Sequence, residues 1–185
     1  NCYLNSNKTN SHFLNLINSK ESDYSRYLFF YLGNVIENRD YDIANEISKT
    51  IEPLKSSLLI AQANKWIDEN NYKKFNHYFS CKNENDLLAE FFFLISNLYS
   101  SQDKFKESNF YLNISNYLNP KFYFNLSLLA ENYHLNDNFI LAKKILQNFS
   151  NEDEIYHWYK TKKIAQYLVE QKGDEVALTY IEKKI

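Results

Sequence analysis

The chain has 185 residues, 44% of them apolar and 24% charged, a balance that supports a folded core rather than disorder. Its net charge of -2, with acidic and basic residues interleaved, lacks the basic face that nucleic acid requires. Only 2 glycines and 2 prolines occur, which argues against sandwiches, barrels and glycine-loop nucleotide folds, whose turns depend on them.

Residues 1–21 are rich in Asn and Ser, with one short apolar patch from His12 to Ile17, and read as a linker ending in a short helix. From residue 22 to 185 the helical period persists, and this stretch reads as one helical domain. A first unit shows Phe29, Leu32-Gly33, Ile36, Tyr41 and Ala44, with a turn one residue shorter than the others. A second shows Leu59, Ala63, Trp66, Tyr72 and Phe79, with Phe75 where the other units carry a small residue. The third has Phe92, Ile95-Ser96, Tyr99, Phe105, Ser108, Leu112 and Pro120. The fourth follows with Leu126, Leu129-Ala130, Tyr133, Phe139, Ala142 and Leu146, and the fifth with Ile164-Ala165, Leu168, Ala177 and Ile181.

Short polar breaks separate the helices: Asn38-Arg39-Asp40, Glu69-Asn70-Asn71, Gln102-Asp103, Asn136-Asp137-Asn138 and Gln171-Lys172-Gly173. Each is expected to supply an acceptor for the first N–H groups of the following helix. Ser150 and Asp153 have the spacing of a capping box. The pattern predicts about ten helices joined by turns short enough to make neighbours antiparallel. The longest apolar run, Tyr27 to Leu32, is far too short to span a bilayer, so no transmembrane segment is expected.

This recurrence resembles the tetratricopeptide repeat, a helix pair of about 34 residues with bulky, small and aromatic positions in fixed order. The resemblance implies an all-α fold, an α–α superhelix of about five helix-turn-helix repeats. The stretch from Leu87 to Ile181, with Tyr117-Leu118-Asn119-Pro120 and Leu128-Leu129-Ala130-Glu131, also resembles C-terminal repeats of alphaproteobacterial proteins of this class. That likeness implies a bacterial protein, periplasmic or envelope-associated, and brings no catalytic residue with it. Without any Met, and opening on Asn1, the chain is expected to be a fragment or a processed product.

In such arrays the first helix of each pair lines a concave groove. Mapped here, the groove positions are Ile60 and Asn64, then Phe93, Asn97 and Ser101, then Ser127, Glu131 and His134, and finally Tyr159, Lys162 and Gln166. For any one of them, contact with the next repeat or with solvent is the plainer reading. The expected function is a noncatalytic scaffold that holds a protein or peptide, without cofactor or metal. A structural spacer in a larger repeat protein is the alternative. The clamp of Lys and Asn that some relatives close on a terminal carboxylate is missing.

Catalytic readings are weaker. Glu90 and Glu131 are the one carboxylate pair worth testing for hydrolase chemistry. His77 and Cys81, four residues apart, would share a helical face, where a partly buried pair is more expected than a metal site. A bridge between Cys2 and Cys81 is not expected, nor is glycosylation at Asn113, Asn125 or Asn148 in a chain so rich in Asn. The run Glu152-Asp153-Glu154 reads as a solvated helix start.

Overall fold

A computed structural model describes residues 2–4, 6–18, 25–51, 57–151 and 153–184. Among them are eleven helices and no strand. In chain order they are α1 (Thr9–Asn18), α2 (Ser25–Glu37), α3 (Tyr41–Lys49), α4 (Leu58–Asp68), α5 (Lys73–Tyr78) and α6 (Glu84–Ser100). Then follow α7 (Phe105–Leu118), α8 (Phe124–Leu135), α9 (Phe139–Leu146), α10 (Glu154–Lys172) and α11 (Asp174–Glu182). The all-α expectation holds. Glu152, within the acidic run, and the expected linker boundary at residues 21 and 22 lie outside the described residues.

The fold groups into two compact units, Asn1–Phe92 with Ile114–Phe122, and Phe93–Asn113 with Tyr123–Ile185, so the division passes through α6 and α7.

Four turns are built alike. The Arg39 amide donates to Ile36 at 3.0 Å and the Asp40 amide to Val35 at 2.9 Å. Asn70 and Asn71 bond to Ile67 and Trp66 in the same way, Asp103 and Lys104 to Ser100 and Tyr99, and Asp137 and Asn138 to His134 and Tyr133. Each is a Schellman closure, in which two amides satisfy carbonyls left open at the helix end. Its hinge residue must take positive φ, and Arg39 (66°), Asn70 (54°), Asp103 (57°) and Asp137 (55°) do so. The polar breaks therefore chiefly end the preceding helix. Asn138 performs the expected capping as well, its Oδ1 accepting from the Leu141 amide at 3.2 Å. The fifth turn differs, closing on Gly173 at φ 87°. At α10 the N-cap is Asp153, so the Ser150 capping box is out of register.

These bonds correct the first repeat. Val35, not Ile36, stands where Trp66, Tyr99 and Tyr133 stand, six residues before Tyr41, Tyr72, Phe105 and Phe139. The first turn is thus as long as the others. Gly33 is accordingly not at a close crossing, since a Cβ added there would meet nothing within 4 Å.

In the first unit α2 packs on α1, α3, α4 and α5. Ala44 is fully buried, and so is Phe75 at the matching place in α5. An aromatic cluster forms around the Phe75 ring on the 6-residue α5. Phe75 stacks on Phe29 at 5.5 Å and meets the edge of Trp66 at 5.3 Å, while Tyr78 meets Phe122 at 4.9 Å. Arg26 lies beneath, its guanidinium 5.0 Å from the centre of the Phe122 ring and paired with Glu90.

Within the N-terminal segment the expected short helix is α1. The ten-residue helix α1 packs on α2, and Cys2 and Cys81 form a disulfide across 79 residues, contrary to expectation. Because α5 ends at Tyr78, Cys81 lies in the turn beyond it and shares no helical face with His77.

In the second unit, α8 packs on α9, α9 on α10, and α10 on α11. Ser108, Ala142 and Ala177 occupy the small positions, all buried. Asn132 is fully buried and ties three helices, donating to Ser108 (2.7 Å) and Asn109 (2.9 Å) and accepting from Ser100 (2.6 Å).

Candidate functional site

Four of the expected groove residues come together where α8 faces α10. Ser127, Glu131 and His134 recur at i, i+4 and i+7 on α8, and meet Tyr159, Lys163, Tyr167 and Glu170 on one side of α10. Glu131 accepts from the Lys163 ammonium at 2.7 Å. The Tyr159 hydroxyl is bonded to Ser127, and burial, then the Glu131 charge and Tyr167, push its ionisation far above the ordinary tyrosine range. Burial also drives Tyr167 up to about 12, with Glu131 and Glu170 adding to it.

His134 stacks on Tyr167 with centroids 4.4 Å apart and planes at 21°, and the Phe139 ring meets both, 5.3 Å from His134 and 6.1 Å from Tyr167, in edge contacts. Its Nε2 lies 3.6 Å from Glu170, an ion pair only when the imidazole is protonated. Among the described residues, the His134 Nδ1 and the Tyr167 hydroxyl have no hydrogen-bond partner.

This seam does not assemble a catalytic set. Ser127 donates its hydroxyl to the Phe124 carbonyl at 2.6 Å, so His134 does not activate it as a nucleophile. Tyr159 and Tyr167, their ionisation raised by burial, stay protonated at neutral pH; Tyr159 bonds to Ser127, and Tyr167 offers its ring to His134. The two carboxylates singled out for hydrolysis are each claimed by a cation: Glu90 by Arg26, Glu131 by Lys163. The seam braces α10 from behind.

The other expected positions divide. Asn64 and Phe93 are buried, contrary to a groove-lining place. Asn64 accepts from Ser48, and the Phe93 ring lies 6.4 Å from Phe124. Ile60 is buried too, while Ser101 is exposed. Asn97, Lys162 and Gln166 are exposed. On α10 the last two continue a stripe that the sequence reading missed: Trp158, 43% exposed, then Lys162, Gln166 and Val169, 44% exposed. The signal was available, since Trp158 lies four residues before Lys162, one helical turn away. Of the three sequons, Asn125 is buried, and Asn113 and Asn148 donate to carbonyls of their own helical turns.

Among the described residues no helix is long and apolar enough to cross a membrane. The chain matches no family model, no curated protein and no solved structure.

Proposed function

We propose that the chain is a noncatalytic helical-repeat module that binds a protein or peptide. The observation that carries this reading is the exposed stripe of Trp158, Lys162, Gln166 and Val169 on α10. An exposed Trp is among the residues that carry most of the binding energy at protein interfaces, and Gln166 and Lys162 beside it offer hydrogen-bond donors. Trp supplies area at little entropic cost, and the polar pair sets register. The seam with α8 holds this face rigid, so binding does not have to order it first. The recurring helix hairpins favour a tetratricopeptide-like array, and with it the scaffold class.

The test is site-specific photocrosslinking in the producing cell, with the probe at Lys162 or Gln166 and a control probe at the exposed Lys143 of α9. A partner captured from the α10 positions, displaced by unlabelled chain and lost in Trp158→Ala, supports the module. Identical, non-displaceable products from all three positions would reject it in favour of a spacer.

A further inference from the structure

The N-terminal segment is held to the first unit in two unequal ways. The Cys2–Cys81 disulfide ties its start covalently, with Cα atoms 5.9 Å apart. Its noncovalent ties are lighter: the Tyr3 hydroxyl donates to Glu84 at 2.6 Å in an exposed bond, Asn34 donates to Asn10 at 2.9 Å, and the Phe13 ring lies 5.9 Å from Tyr31. Between segment and body is a pocket of about 310 Å³, open to solvent on one side and bounded by Phe13 and Leu16 of α1, Phe30 of α2, Phe79, Leu87 and the disulfide itself. Helices that dock for stability close such volume, because an unfilled gap forfeits dispersion along both walls. Leu14 and Leu16 of α1 also remain 43% and 45% exposed, so the helix buries its apolar side incompletely.

We propose that the disulfide is a redox latch. Closed, it keeps α1 over the apolar wall of Phe30, Phe79 and Leu87; opened by reduction, it lets α1 leave and presents that wall. Both cysteines are only half-buried, within reach of a thiol. The reductant is a dithiol protein. One of its thiolates attacks a sulfur of the pair, forming a mixed disulfide and releasing the other cysteine, which takes a proton. The reductant's second thiol then displaces the remaining cysteine, leaving two protein thiols and an oxidised, disulfide-bonded reductant. In an oxidising compartment the latch stays shut, and exposure to a dithiol opens it.

The experiment is hydrogen exchange read by mass spectrometry on the full chain, before and after treatment with dithiothreitol, with thiol alkylation to count free cysteines. An apolar-surface dye is measured in parallel. The expected result is no free thiol at first, then loss of protection in residues 9–18 by about tenfold or more on reduction, with dye binding rising and α2 to α5 still protected. Cys2→Ser should show the reduced pattern without reductant. Free thiols in the untreated protein, or unchanged protection of α1 after full reduction, would overturn the latch. Loss of protection throughout α2 to α5 would also overturn it, because the bond would then be a staple for the whole unit.

Discussion

Removing one partner of the Arg26–Glu90 pair offers the sharpest test of how the first unit is held. The two side chains are 10% and 14% exposed, the Arg26 Nε donates to Glu90 at 2.7 Å, and the guanidinium also lies over the Phe30 and Phe122 rings. Deleting one half of a buried pair typically costs about 3–5 kcal/mol, because the remaining charge loses its compensation. Glu90 borders the pocket under α1, where water can reach the surviving charge, so the low end, about 3 kcal/mol, is the value for Glu90→Ala. Arg26→Met, which keeps the stem against the rings, should cost about the same. The double variant Arg26→Met with Glu90→Leu should return to within about 1 kcal/mol of the parent, since neither charge then needs a partner. Trp66, buried in the same unit, reports unfolding in urea once Trp158 is replaced by Phe. Single variants each costing under about 1 kcal/mol, with additive effects in the double, would refute the pairing as the element that matters.

Gly33→Ala should stabilise by about 0.5–1 kcal/mol, since the site is mid-helix with space for a Cβ, and Arg39→Gly should add a similar amount by relieving positive φ; both are read as shifts in urea midpoint. Asn132→Ala strands the hydroxyls of Ser100 and Ser108 and should cost about 3 kcal/mol by the same measurement. Tyr167 titrates higher in the fold, about 12 against an ordinary 10.0, so its contribution is complete below pH 10.0 and vanishes as pH climbs through 12. Tyr167→Phe should therefore weaken the alkaline unfolding of the second unit followed by circular dichroism, and an unchanged alkaline limb would count against the buried phenol.

Much of this architecture was legible from residue order. The breaks marked the helix ends, and Ala44, Ser108, Ala142 and Ala177 lie buried at the small places where periodicity put them. What order could not decide was which face of a helix turns inward when adjacent residues are equally apolar. In Phe91-Phe92-Phe93 the buried ring is Phe93, while Phe91 is 56% exposed, and one step in sequence rotates a side chain by about 100°. The same ambiguity separated Ile36 from Val35, and hydrogen bonds in the turn resolved it. The disulfide escaped because two cysteines 79 residues apart carry no local pattern. The α10 stripe was half visible: Lys162 and Gln166 follow from the repeat, whereas Trp158, one turn earlier on the helix that the acidic run opens, lies outside the positions the repeat maps.

The hinge residues of the four matching turns are Arg, Asn, Asp and Asp, unlike in charge and size yet identical in what the main chain does around them. A joint that is fastened by its own amides and carbonyls asks almost nothing of side chains except tolerance of one unusual torsion. Such a turn closes in the same way whether Arg, Asn or Asp stands at its hinge, so its shape resides in main-chain bonds rather than in any one side chain.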